Sequence, residues 1–174
     1  VLDITGSTPL TDWTVQPISK VIGCVALRSV VGVGNDQIFL SGVPIAVRTL
    51  SRSSFDKILV DILSQPIQDI FDGTGETTIN TSVISKAAAV YFDNKYILAI
   101  ATGSSTVNNY VVVYDFFTKS WYTITGWYPA GWQVFNNNLY YIDALDCRVV
   151  QCFTGTTGDM ASGPIVTSAS EPTV

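Results

Sequence analysis

The chain reads as an all-β protein, a partial or incomplete β-propeller built of four-stranded antiparallel blades with a short helical insertion. Three observations predict this. A β-hairpin signal recurs at Asn35, Asn94 and Asn137. Around these turns the apolar residues fall in short β-branched and aromatic runs, as strands require. The turns are spaced by 59 and then 43 residues. The second spacing matches a four-stranded blade of about 40–45 residues, and the first is that length plus an insertion.

The three turns align residue by residue. Val33-Gly34-Asn35-Asp36-Gln37-Ile38-Phe39 matches Phe92-Asp93-Asn94-Lys95-Tyr96-Ile97-Leu98, and both match Phe135-Asn136-Asn137-Asn138-Leu139-Tyr140-Tyr141. Asn, Asp and Gly suit such turns because they tolerate a left-handed backbone. Trp13 and Trp121 each precede one of the hairpins, where the outer strand of a blade belongs.

Taken in order, Trp13-Thr14-Val15 is a short strand ended by Pro17. Ser29 to Val33 and Ile38-Phe39-Leu40 flank the first turn, and Ile45-Ala46-Val47 follows the Gly42-Val43-Pro44 turn. Residues 58–71 form the insertion. Within it Pro66 to Phe71 predicts a short helix, with Ser64 placed to cap it and Gly73 and Gly75 to end it. Ile58 to Leu63 fits helix or strand. Ala87-Ala88-Ala89 favours helix by propensity, but the Asp93-Asn94 turn and the Tyr96 to Ile100 strand argue for a hairpin.

Tyr110 to Asp115 is the strongest strand, and Ser120 to Ile124 returns beside it. Gly131 to Phe135, Leu139 to Ile142 and Val149 to Phe153 repeat the pattern, with Ile165-Val166-Thr167 a last candidate. The chain therefore divides into a first blade region (1–86), a complete blade (87–126) and a partial blade with a C-terminal extension (127–174). So few blades imply a ring completed from outside these residues. Trp13, Phe92, Tyr114 and Trp121 are expected to pack between blades. Trp127, Tyr128 and Trp132, dense around a Gly/Pro turn, are candidate interface residues, because aromatics favour interface centres.

Composition narrows the function. Of 174 residues, 47% are hydrophobic and only 13% charged, where about 25% is usual. The formal net charge is −5 and no basic cluster exists, which argues against attraction to nucleic acid or anionic lipid. No run of 18 apolar residues suggests a membrane helix. Cys24, Cys147 and Cys152 are odd in number. The run between the last two is extended and too long for a disulfide, so free buried thiols are expected.

Catalytic patterns are sparse. The chain has no histidine, which removes the usual triads and the common zinc sets. Gly73-Thr74-Gly75-Glu76-Thr77 lacks the lysine of a phosphate loop. Asp36, Asp93, Asp115, Asp143 and Asp146 all fall on expected turns, where they serve the turn more readily than a glycosidase pair. Calcium at Asp36 or Asp93 lacks the EF-hand spacing. The expectation is a non-enzyme without metal or cofactor.

Two passages carry a resemblance. One is Arg28 to Gly42, including Gly34-Asn35-Asp36-Gln37-Ile38-Phe39-Leu40. The other links Asn94-Lys95-Tyr96-Ile97-Leu98, Val107-Asn108-Asn109, Val113-Tyr114-Asp115, Ser120-Trp121 and Pro129-Ala130-Gly131-Trp132. Together they resemble propeller-containing structural proteins of tailed bacteriophages, such as tail nozzle or tail tube-associated proteins. The resemblance implies a non-enzymatic subunit of a homo-oligomeric virion ring, assembled in the host cytoplasm. Its partners would be other tail proteins, with DNA passing non-specifically. The alternative is a carbohydrate-active or carbohydrate-binding propeller that uses turn carboxylates and aromatics.

Overall fold

Short β-branched and aromatic runs between tight turns fold back on themselves as antiparallel hairpins. In the computed structural model, residues 2–5, 14–17, 21–52 and 58–154 are described. β1 (Leu2–Thr5) and β2 (Thr14–Pro17) pair as a separate two-stranded ribbon. β3 (Val31–Val33), β4 (Asp36–Gly42), β5 (Ile45–Arg52) and β6 (Ile58–Ile62) form the first main sheet. β7 (Ala88–Phe92), β8 (Lys95–Ile100), β9 (Tyr110–Asp115) and β10 (Ser120–Thr125) form the second. β11 (Pro129–Phe135), β12 (Asn138–Asp143) and β13 (Val149–Gln151) form the third. Each main sheet is an up-and-down meander with all neighbours antiparallel.

The three aligned turns each close a two-residue loop, pairing Val33 with Asp36, Phe92 with Lys95 and Phe135 with Asn138. Asp93 and Asn94 have φ of 47° and 55°, and Asn136 and Asn137 have 47° and 59°. Two successive positive φ values define the type I′ turn, whose twist matches that of the strands it joins. The first hairpin differs, since only Gly34 of its central pair is positive (φ 60°). That is the type II′ pattern, with glycine at its first central position. One alignment in sequence therefore covers two turn geometries.

The second sheet lies between the other two. Tyr96, Leu98, Ile100 and Val112 pack with Ile38, Leu40 and Val47 of the first sheet, together with Ile70 and Phe71. Ile97, Ala99, Val111 and Val113 point the other way and pack with Leu139, Tyr141 and Val150 of the third. Tyr96 to Ile100 and Val111 to Val113 are all fully buried. Burying a Val, Leu or Ile contributes about 1.5–3 kcal/mol each, so both interlayer faces are strongly favoured.

The expected propeller is not formed. The first and third sheets occupy opposite faces of the second, and among the described residues no sheet is closed or curled into a propeller arrangement. The fold is a mixed α/β arrangement of small antiparallel sheets with short helical segments. The reason for the difference is physical. Tight turns and two-sided strands specify hairpins and stacking, both local, and neither specifies closure around an axis.

The insertion resolves into strand and helix. Ile58 to Ile62 is strand, paired with β5. Gln65–Ile67 is a 3₁₀ turn running into the α-helix α1 (Gln68–Asp72), which Gly73 ends at φ 83°. The expected Ser64 cap is absent. Instead Ser64 Oγ accepts from the Val47 N–H (3.0 Å) and donates to Gln68 Oε1 (3.1 Å), while Gln68 Nε2 donates to the Ile45 carbonyl (2.7 Å). The pair ties the helix to β5. Two further 3₁₀ segments are Leu27–Ser29, ahead of β3, and Thr81–Lys86, which starts at Asn80, whose side chain accepts from Ser82 N–H. Ile165-Val166-Thr167, expected from sequence as a last strand, lies outside the described residues.

Single aromatic donors join the layers. The Tyr96 hydroxyl donates to the Ser29 carbonyl (3.0 Å) and Trp121 Nε1 to the Leu63 carbonyl (3.1 Å), both on the first sheet's side. Trp132 Nε1 of β11 donates to the Ala88 carbonyl of β7 (3.0 Å). Ser29, fully buried, also accepts from the Leu40 N–H through its hydroxyl. Tyr96→Phe keeps the ring but strips the Ser29 carbonyl of its bond. It should cost about 1–2 kcal/mol in urea unfolding, and an unchanged midpoint would show that the phenol does not link the layers.

Candidate functional site

The residues named from sequence scatter over the layers. Phe92 stacks on Phe153 (3° between planes) beside the second core. Tyr114 and Trp121 pack together at 5.1 Å between ring centres, against the first core. Trp127 is buried, Tyr128 is half-buried, and Trp132 is half-buried with its indole N–H engaged. Trp127 and Trp132 lie 6.4 Å apart and both contact the Tyr141 ring. Trp13 lies outside the described residues.

Four of the five turn carboxylates, Asp93, Asp115, Asp143 and Asp146, are occupied locally. Asp93 pairs with Lys95 at 2.9 Å. Asp115 accepts from the N–H groups of Phe117 (2.8 Å) and Thr118 (3.1 Å), and the Thr118 N–H above all holds its carboxyl below the usual aspartate range. Asp143 accepts from the Leu145 N–H at 2.8 Å. Asp146 pairs with Arg148, whose guanidinium depresses its titration. Asp36 is half-buried at the start of β4. Among the described residues no three His, Cys, Asp or Glu side chains are grouped to hold a metal. No helix there is long and apolar enough to cross a membrane.

The cysteines are free, but only Cys152 is buried, and burial pushes its thiol up to about 12. Cys24 and Cys147 are exposed, which corrects the expectation of three buried thiols.

The feature that stands apart is the outer face of the third sheet. Leu139, Tyr141 and Val150 point inward and are buried. Strand alternation turns Gln133, Phe135, Tyr140, Ile142 and Val149 outward. Phe135, Ile142 and Val149 are 69%, 50% and 56% exposed. This face walls a cavity of about 730 Å³ that reaches Ala88 and Ala89 of β7 and ends at Arg28. Among the described residues no lysine and no carboxylate lines it. Arg28 Nη1 donates to the Ala130 carbonyl at 2.7 Å, which holds the guanidinium over the Gly131 end of β11.

Of the aromatics expected at an interface from the sequence, Trp132 lines this cavity, as do Tyr140 and Tyr141 of the same cluster, whereas Trp127 and Tyr128 do not; Phe135, Ile142, Val149 and Arg28 were not expected there. A signal was present. Leu139-Tyr140-Tyr141-Ile142 is apolar on both strand faces, as Tyr96 to Ile100 is, and a strand apolar on both faces belongs inside a stack. Arg28 carries no such signal, since it reaches the face only through the fold, 102 residues from Ala130 in the chain.

Neither protein-family models nor curated protein sequences match this chain. The resemblance to phage tail proteins therefore has no support from relatives. With the propeller gone, the ring-forming virion role and the carbohydrate-propeller alternative fall as well.

Two measurements check this description. Ellman's reagent on native protein should titrate Cys24 and Cys147 rapidly and Cys152 only on unfolding; three fast thiols would contradict its burial. The second uses acid. The folded Asp115 carboxyl titrates below the unfolded one, so its contribution is present above about pH 4. It is lost as pH falls through the folded value. The stability advantage of wild type over Asp115→Asn should therefore shrink below pH 4, and an advantage independent of pH would contradict the turn geometry.

Proposed function

We propose that this chain is a non-catalytic interaction module that docks a segment of a partner protein on the outer face of its third sheet. One observation carries the reading. β12 is apolar on both faces like the interior strands β8 and β9, yet its outward residue Ile142 is half exposed, as are the neighbouring Phe135 and Val149. An exposed apolar patch of this kind marks an interaction site. Its composition agrees, since among the described residues it is aromatic, aliphatic, glutamine and arginine without Lys, Asp or Glu, and depletion of charge other than arginine is typical of interface centres. Covering Ile142 and Val149 fully would add about 1 kcal/mol each to binding.

The test is selection of a random twelve-residue peptide library on the immobilised full chain. Wild type should enrich peptides with apolar anchors. The double variant Ile142→Asp with Val149→Asp should lose their binding by at least tenfold, while its thermal midpoint stays within a few degrees because both side chains are already half exposed. Peptides that bind the variant as well as wild type would remove this face as the docking site.

A further inference from the structure

We infer that the docking face is selective for an acidic partner segment, with Arg28 as the residue that reads a partner Asp or Glu. This rests on the docking reading above and names the chemistry of its occupant.

Among the described residues Arg28 is the one charged side chain lining the cavity, at its β11 end. A guanidinium carries five N–H donors in a rigid fork and cannot be deprotonated in a protein. One of them is spent on the Ala130 carbonyl. That bond fixes the fork against β11, so little side-chain freedom is left to lose on binding. Among the described residues no carboxylate lies within ion-pairing distance of Arg28, whereas Lys95 and Arg148 both have aspartate partners. A fixed cation beside an apolar floor is complementary to a segment that places a carboxylate next to apolar side chains. Arginine holds carboxylates in paired hydrogen bonds, which gives direction as well as charge.

The net charge of the chain works against such a partner. At −5 the chain as a whole repels acidic peptides. A preference for acid at this face therefore has to arise locally, against the field of the molecule. A general electrostatic stickiness of this protein would enrich basic peptides instead.

The experiment repeats the peptide selection on wild type, Arg28→Gln and Arg28→Lys. Arg28 is exposed, so none of these changes disturbs a core. Wild type should enrich Asp or Glu beside the apolar anchor at least fivefold over the starting library. Arg28→Gln should keep the apolar anchors and lose the acidic preference. Arg28→Lys should keep part of it, because charge remains but the fork is gone. The enriched peptides should also weaken with added salt on wild type and not on Arg28→Gln. Apolar peptides without an acidic preference, or a preference that survives Arg28→Gln, would overturn the inference and leave the docking reading standing. Peptides insensitive to the Ile142 and Val149 changes would instead overturn the docking reading, and the two failures are told apart by which variant is silent.

Discussion

Strands β8 and β9 have no face they can show to water. Ile97, Ala99, Val111 and Val113 point to one side, and Tyr96, Leu98, Ile100 and Val112 to the other, all of them buried. An antiparallel sheet usually keeps one side wet and reads as alternating apolar and polar residues. This one does not alternate, so it is stable only with a layer on each side. The first sheet, with the helix α1 locked to β5 through Ser64 and Gln68, covers one side. The third sheet covers the other. The cost of exposing either side is several kilocalories per mole, since each large side chain contributes about 1.5–3 kcal/mol.

Apolar faces bring sheets together without fixing their angle. Directional bonds do that here, and they are few. Tyr96 and Trp121 reach backward to carbonyls beside the first sheet, and Trp132 reaches from the third to the inner edge of the second. Each side chain adds a large apolar body to the interlayer space and spends its one donor on a neighbour's backbone. Asn108 adds a polar tie, giving its amide to the carbonyls of Lys86 and Pro129. The layers are thus set by aromatics that act as packing and as hydrogen-bond donors at once.

Much of the local structure was legible from residues. The hairpins at Asn35, Asn94 and Asn137 were readable because turn chemistry is local, and the strands beside them because β-branched and aromatic runs are. The short helix near Pro66 was readable for the same reason, while Ile58 to Ile62, open between helix and strand, was settled by pairing with β5. The arrangement of sheets was not legible. A hairpin repeat is equally compatible with a ring and with an open stack, and the choice depends on contacts far apart in the chain. The site was half legible. The two-sided apolar character of Leu139 to Ile142 stands in the sequence, but whether the outward side is covered is a tertiary fact, and Arg28 arrives at it from the 3₁₀ segment Leu27–Ser29 ahead of β3. The tryptophans drew attention for their size, although Trp127 is spent on the core.

Among the described residues the third sheet repeats the character of the second without a second neighbour, and this links stability to the proposed docking. The same two-sided chemistry that buries the middle layer on both sides leaves Phe135, Ile142 and Val149 of the outer layer exposed. The central claim is that β8 and β9 depend on both neighbours at once. Native-state hydrogen exchange on Leu40→Ala, in the first sheet, and Leu139→Ala, in the third, tests it most directly. Both should lower the protection of the β8 and β9 amides, each by its full loss of global stability, about 2–5 kcal/mol. If either variant loosened only its own sheet and left the β8 and β9 amides as protected as in wild type, the layers would be independent and the account would be contradicted.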